Sequence, residues 1–301
     1  MAGLLTLIRP TNALMVLSFI LYDIKNRCDV NGRLIFFREH YLQLAAILFF
    51  GFLVLLPQLI YWKTISGHWL YYSYGNEGFF FLHPQLINIL FSFRKGWFVY
   101  TPVMVFGVLG IYFLLKKFKP LFLPVFVILI AFLYVDSSWW CWWYGGGLSQ
   151  RELIDIYPFM ALPLAAFLQW IGKQRLLLRY FIGILFTVSV LLGIFYNVQY
   201  RYGSIHWDAM SKQAYFNSFG RVYPSSKFNQ LLVHPDYERA ILGLPEKHPG
   251  QVKAETIKSI IQRKKKDSKW LDEVRQKAKK RNIPLDSMLR LEAKNILKYS
   301  K

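Results

Sequence analysis

The chain has 301 residues, of which 54% are hydrophobic, and it carries a net charge of +20. Ordinary soluble domains reach only about 45–50% apolar even when glycine is counted. A chain this greasy and this basic is not a single soluble globule, and it is neither disordered overall nor collagen-like. Its length alone would suit about two domains. The two cysteines, Cys28 and Cys141, are too few for a disulfide framework.

Apolar residues are concentrated toward the amino-terminal side. A helix crossing a bilayer needs about 20 mostly apolar residues. Stretches 4–22, 41–61, 97–115, 121–135, 156–171 and 177–196 meet or approach that length, and each is flanked by Trp or Tyr suited to the headgroup region. The expectation is therefore an all-α integral membrane protein with about six transmembrane helices, followed by a basic, helical tail. Three regions result: membrane segments over 1–196, a juxtamembrane segment over 197–246 and the tail over 247–301. Residues 1–8 lack the basic start of a secretory signal peptide, and no small-residue cleavage site follows.

Inside the first stretch stands an Arg-Pro pair, Arg9 and Pro10. A charge there is costly unless it faces protein or water, although an arginine near a helix end can also snorkel. Lys and Arg favour cytoplasmic loops. Loops 23–40, 116–120 and 172–180 are rich in them, with Lys25, Arg27, Arg33, Arg38, Lys116, Lys117, Lys119, Lys173, Arg175 and Arg179. The alternate loops, 62–96 and 136–155, hold only Lys63, Arg94, Lys95 and Arg151. The latter pair, and the tail, are expected outside the cytoplasm. Cys28 and Cys141 then lie on opposite sides of the membrane.

The first outward loop is aromatic and punctuated by glycine, and it has one acid, Glu77. Its segment 79–93 is apolar, interrupted by Pro84 and too short to span, so it is expected to be a helix lying in the interface. Arg94 and Lys95 follow, as either a depth anchor or a contact for a lipid phosphate. The second outward loop packs Trp139, Trp140, Trp142, Trp143 and Tyr144 ahead of three glycines. These indoles are either an interfacial belt or, with Asp136, Arg151, Glu152 and Asp155, the lining of a sugar or lipid-phosphate site. Arg151 presents a planar fork suited to phosphate. The histidines show no metal-ligand spacing, and GGGLSQR lacks the lysine of a nucleotide loop. No metal and no cofactor is expected.

In the tail, Ser268 is a helix start, with Leu271, Val274 and Ala278 on one face. Asn282 and Pro284 end that helix, and a second follows with Leu285, Met288, Leu289, Ala293 and Ile296 in register. The basic block 263–266 would suit nucleic acid, but outside the cytoplasm it would meet anionic lipid or solvent instead. Nucleic acid is therefore not an expected partner.

Several pieces together carry a resemblance: LIRPTNAL (7–14), SYGNEGFFF (73–81), LFSFRKGWFVYTPVMVFGVLGIY (90–112), WWYGGGLSQRELIDIYPFMALPLAAF (142–167) and IHWDAMSKQAYF (205–216). In order and spacing, over about residues 3–220, the chain resembles the C-terminal half of bacterial membrane glycosyltransferases of the GT-C superfamily. These are relatives of the protein O-mannosyltransferases and aminoarabinose transferases. The helical end resembles a short tail of some bacterial envelope proteins.

The resemblance implies residence in the bacterial inner membrane, a polyprenyl-phosphate sugar donor and transfer on the outer face. It further implies an Asp or Glu in the first outward loop as general base toward the acceptor. This chain departs from that pattern, because its first loop is basic and Asp23 and Asp29 sit among Lys25, Arg27 and Arg33. LIRPTNAL belongs to the middle of the family pattern, so the catalytic amino-terminal spans are expected to be missing from this chain. Arg151 falls where the family places an arginine before a Pro-rich span, although Gln150 replaces the usual small residue or proline. The resemblance makes Arg151 a phosphate or saccharide contact, Glu77 an acceptor for sugar hydroxyls, and Arg94 and Lys95 lipid-phosphate contacts. A non-enzymatic membrane protein, binding lipid-linked saccharide or an assembly partner, is the alternative. A solute transporter is weaker still, since no internal repeat is visible.

Overall fold

The computed structural model describes residues 2–244, 257–258, 261–262, 264–265, 268–281 and 283–299, and two compact units divide between Gly243 and Leu244. The described residues are helical, with one isolated antiparallel bridge and no strand. Four helical stretches are long and apolar enough to cross a membrane: Tyr41–Ser66, Lys119–Ser138, Arg151–Ile171 and Leu176–Arg201.

The other two expected spans are both broken, each at a proline. In the first, α1 (Ala2–Ile8) stops before Arg9, which is extended at φ −150° and ψ 118°. A residue preceding proline is driven out of the helical region by the ring, and Arg9 precedes Pro10. A 3-10 turn over Pro10–Val16 and a short α2 (Leu17–Leu21) complete the segment. In the third, a single turn α6 (Trp97–Tyr100) ends at Thr101, and Pro102 starts α7 (Val103–Lys117).

Two connecting segments also differ from expectation. Loop 23–40 contains α3 (Arg27–Glu39), opened by a capping box in which Asn26 and Asp29 satisfy each other's backbone N–H groups. Within 79–93, only α5 (Leu86–Phe91) is helical, after Pro84 has broken the run. The long α4 (Tyr41–Ser66) ends at Gly67, whose φ of +77° is the left-handed conformation glycine adopts most readily.

The packed centre lies where α7 and α8 (Lys119–Ser138) meet α9 (Tyr157–Ile171). Ile89, Trp97, Ile128, Phe132, Leu153 and Ile156 form one buried cluster. The closest approach is between α7 and α9 at Gly110, where an added Cβ would stand 2.0 Å from the Pro163 carbonyl oxygen. A second cluster joins Tyr100 to Tyr196 of α10 (Leu176–Arg201) and to Ile205, Met210 and Phe228 beyond it. The Tyr196 and Tyr215 hydroxyls are 2.6 Å apart, and the Gln199 amide donates to the Ser218 and Arg221 carbonyls at 2.6 and 2.7 Å. These bonds fold the stretch after α10 back onto the membrane helices, through α11 (Lys212–Ser218), α12 (Phe228–Leu231) and α13 (Tyr237–Ile241).

The second unit has its own core. Helices Ser268–Arg281 and Leu285–Tyr299 pack through Val274, Ala278, Met288 and Leu289. The faces read from the sequence thus meet, with Pro284 between the helices. The stretch 247–256, Asn282, and Arg263 and Lys266 of the basic block fall outside the described residues.

Candidate functional site

The two loops expected on the outer side pack together. Phe79 bridges to Trp139, the Phe80 N–H donates to the Ser138 carbonyl at 2.6 Å, and the Trp140 N–H donates to Gly78 at 3.0 Å. Gln85 adds a further backbone bond to Ser137 at 2.8 Å. Successive indoles of the second loop therefore project to different partners. Trp139 meets Phe79 edge-on, with ring centroids 4.7 Å apart, and Tyr74 at 5.5 Å. Trp140 donates its indole N–H to Glu77 Oε2 at 2.9 Å, while the Tyr72 hydroxyl donates to the Glu77 carbonyl at 2.6 Å. Trp142 and Trp143 are buried beneath.

Arg94 and Lys95 do not project into the open. Both are buried, with only 7% and 2% of their areas exposed. The Arg94 guanidinium sits 5.3 Å from the Trp143 ring centroid and 5.9 Å from that of Trp142, and its Nη2 donates to the Val233 carbonyl at 3.2 Å. A desolvated cation held over two indoles gains from their quadrupoles. The Lys95 ammonium donates to the Gly147 carbonyl. Arg151 donates through Nη1 to the adjoining Gly146 carbonyl at 3.0 Å and through Nε to Glu152 Oε1 at 3.0 Å, and about half of its side chain stays exposed. Lys95 and Arg151 thus converge on neighbouring carbonyls of the glycine turn. Glu77 joins the set through Trp140, so the four residues singled out in the sequence meet at one loop. The reason is that loop's Trp and Gly content: the indoles supply faces for Arg94, and the glycines supply carbonyls for Lys95 and Arg151.

The turn itself is strained. Tyr144 and Ser149 stand at φ +50° and +57°, where residues with a Cβ are uncommon, alongside Gly145 at +56° and Gly147 at +147°. Such conformations persist where the surroundings over-determine them. Here the Tyr144 hydroxyl is fixed by donation to the Asp136 carbonyl at 2.9 Å, and Ser149 by the Thr101 hydroxyl at 3.1 Å.

Burial governs the electrostatics. It pushes the Lys95 ammonium down to about 8, aided by the neighbouring positive charge of Arg151 and opposed by Asp208. It raises the Cys141 thiol to about 11 and the Tyr237 phenol to about 12. Tyr144 is raised further still by burial and by the nearby Asp136. His206 is lowered, with desolvation outweighing the attraction of Asp208.

A neighbouring acid network was only half legible in the sequence. Arg9 reaches Glu152 Oε2 at 2.5 Å and Asp155 Oδ2 at 2.5 Å, so the arginine inside the first apolar stretch faces protein. With Arg151 also on Glu152, two of the loop's carboxylates are engaged by guanidinium groups. Asp136 is buried, and its Oδ2 has no hydrogen-bond partner among the described residues; the same holds for both amide atoms of buried Gln150.

Sequence reasoning gave no role to Asp208, His206 or Tyr237. Asp208 is buried, and its Oδ2 accepts from the Tyr237 hydroxyl at 2.8 Å, while Tyr237 packs edge-on to Trp143 with ring centroids 5.5 Å apart. The His206 Nδ1 accepts the Asp208 and Ala209 N–H groups at 3.3 and 3.1 Å, which places the ring proton on Nε2. Its 3.1 Å approach to Asp208 Oδ1 becomes an ion pair only when the ring is protonated. The segment containing His206 and Asp208 is conspicuous in the sequence; the fold that links it to Trp143 through Tyr237 is not.

Comparison of the chain with family models, with curated proteins and with solved structures finds no match.

Proposed function

We propose that this protein holds a polyprenyl-phosphate-linked saccharide at the outer face of a bacterial inner membrane, as the donor-binding part of a glycosyltransferase-like system of the GT-C kind. The observation that carries this reading is the convergence of Arg94, Lys95, Arg151 and Glu77 on one tryptophan-rich, glycine-turned loop. A lipid phosphate needs cationic donors, and sugar rings stack on aromatic faces while their hydroxyls need acceptors. Of the three cations, Arg151 is the one open to a ligand; Lys95 and Arg94 add positive potential from behind it. In this reading the two proline-broken segments, 4–22 and 97–115, also cross the bilayer, giving six spans with both aromatic loops and the tail outside.

A second reading is a binder without catalysis. It is favoured by the engagement of Glu152 and Asp155 with arginines, which leaves neither carboxylate poised to take a proton from an acceptor hydroxyl.

The test is binding of a polyprenyl-phosphate sugar to the purified full chain, with transfer to acceptor assayed in parallel. Arg151→Ala should weaken binding about tenfold, the lower end expected for a charged hydrogen bond at a half-exposed site. Glu77→Gln should weaken it less and leave affinity for the bare lipid phosphate unchanged. Full affinity in both variants, at normal folding, rejects the site. Binding without transfer selects the second reading.

A further inference from the structure

The start of α10 lies at the opposite end of that helix from the tyrosine cluster, with four residues, 172–175, between it and the end of α9. Midway along α10, Phe186 meets Phe106 of α7 with ring centroids 5.5 Å apart. Toward the start of α10 a groove of about 450 Å³ opens, with Ile171 on one wall and Gly183, Ile184 and Val188 on the other. Arg179 and Tyr180 stand at its mouth. Nothing lies within 4 Å of where a Cβ on Gly183 would be, so the missing side chain contributes to the depth of the channel. From Arg179 to Val188 the groove runs along nine helical steps, about 14 Å at the α-helical rise.

Arg179 is the charged residue of its lining, and the connections beside that end are uniformly basic. The α7–α8 connection contributes Lys116, Lys117 and Lys119, and the α9–α10 connection contributes Lys173, Arg175 and Arg179. Neither 112–120 nor 169–180 contains an acid. The two connections adjoin, since the Lys117 ammonium donates to Gln169 Oε1 at 2.9 Å. A channel with hydrocarbon walls, a tyrosine at the rim and a cationic mouth complements one kind of molecule: an acyl chain that ends in a phosphate.

We propose that this groove seats a single anionic glycerophospholipid, its acyl chain along Gly183–Val188 and its phosphate on Arg179. The site is separate from the tryptophan-rich loop and does not depend on the function proposed for that loop. A polyprenyl phosphate offers the same phosphate, but its proposed place is the outer-face loop, whereas this mouth lies among the basic connections expected on the inner side.

The experiment is native mass spectrometry of the full chain released from mixed bilayers of phosphatidylglycerol and phosphatidylcholine. One retained phosphatidylglycerol is expected, in preference over phosphatidylcholine. Arg179→Gln should lower that preference about fivefold, the effect of losing one cation near a lipid phosphate. Gly183→Leu, which fills the channel but keeps the charge, should abolish retention of any lipid at this stoichiometry. Thermal unfolding of each variant identifies a misfolded one, and Lys173→Gln then serves as a second test of the mouth. Equal retention of both phospholipids by the unaltered protein, or a preference unmoved by Arg179→Gln and Gly183→Leu, overturns the proposal. Displacement of the phosphatidylglycerol by undecaprenyl phosphate at equal concentration overturns the choice of occupant.

Discussion

Lys95 shows how a single buried residue marks a site. Its ammonium is almost completely removed from water, with the Gly147 carbonyl as hydrogen-bond partner and another cation nearby. Its proton is therefore held more weakly in the folded protein, at about 8, than at the ordinary lysine value of 10.5. The sign follows from linkage. Between those two values the unfolded chain binds the proton and the folded chain does not, so stability rises with pH through this window as the burden of the buried charge is lifted. Thermal unfolding in detergent should show a contribution from Lys95 that increases between about pH 8 and 10.5 and vanishes in Lys95→Met. A flat difference between the two proteins across that range would refute the buried charge. The sequence revealed Arg94, Lys95, Glu77 and Arg151 by type and loop position. It did not reveal that two of the cations turn inward, because their partners, Trp142 and Trp143 for Arg94 and Gly147 for Lys95, lie far along the chain. Asp208 and Tyr237 went unseen for the same reason.

At the level of elements, hydrophobic runs were legible and their interruptions less so. The runs over 41–61, 121–135, 156–171 and 177–196 fall within the four long apolar helical stretches, where Pro57, Pro124 and Pro163 are carried inside the helix without ending it. The runs over 4–22 and 97–115 are as apolar but are cut where Arg9 precedes Pro10 and Thr101 precedes Pro102, a local steric effect that average hydropathy does not register. In loop 23–40 the basic charge stands out in the sequence, whereas the helix start depends on a capping box of only two residues, Asn26 and Asp29. Helix packing adds a constraint invisible in any run of residues, at Gly110. Its Cα faces the α9 backbone so closely that a methyl group would collide with the Pro163 carbonyl, a neighbour that cannot rotate aside. Gly110→Ala should therefore destabilise the protein by about 1–3 kcal/mol. Gly193→Ala on α10, where nothing stands within 4 Å of the new Cβ, is the matched control and should be close to neutral. Equal thermal shifts for the two would show that α7 and α9 do not touch there.

On the scale of the whole molecule, the arrangement of loops makes a topological prediction. Cys28 is exposed at the start of α3, and Cys141 is buried within the aromatic loop with its thiol raised to about 11. A membrane-impermeant maleimide should label Cys28 only after the inner face is opened, and Cys141 from neither face until the protein is denatured, since the thiolate is the reactive form. Labelling of Cys28 in sealed right-side-out vesicles would invert the proposed orientation. The clasp between Arg9 and the loop before α9 also has a consequence in time. Its two ends are separated by 143 residues of sequence. A ribosome adding about 5–20 residues per second needs roughly 7–29 s to bridge that gap. Throughout that interval the Arg9 guanidinium lacks the carboxylates that compensate it in the folded protein, so the amino-terminal segment takes its final seat only after the chain has been synthesised past Asp155.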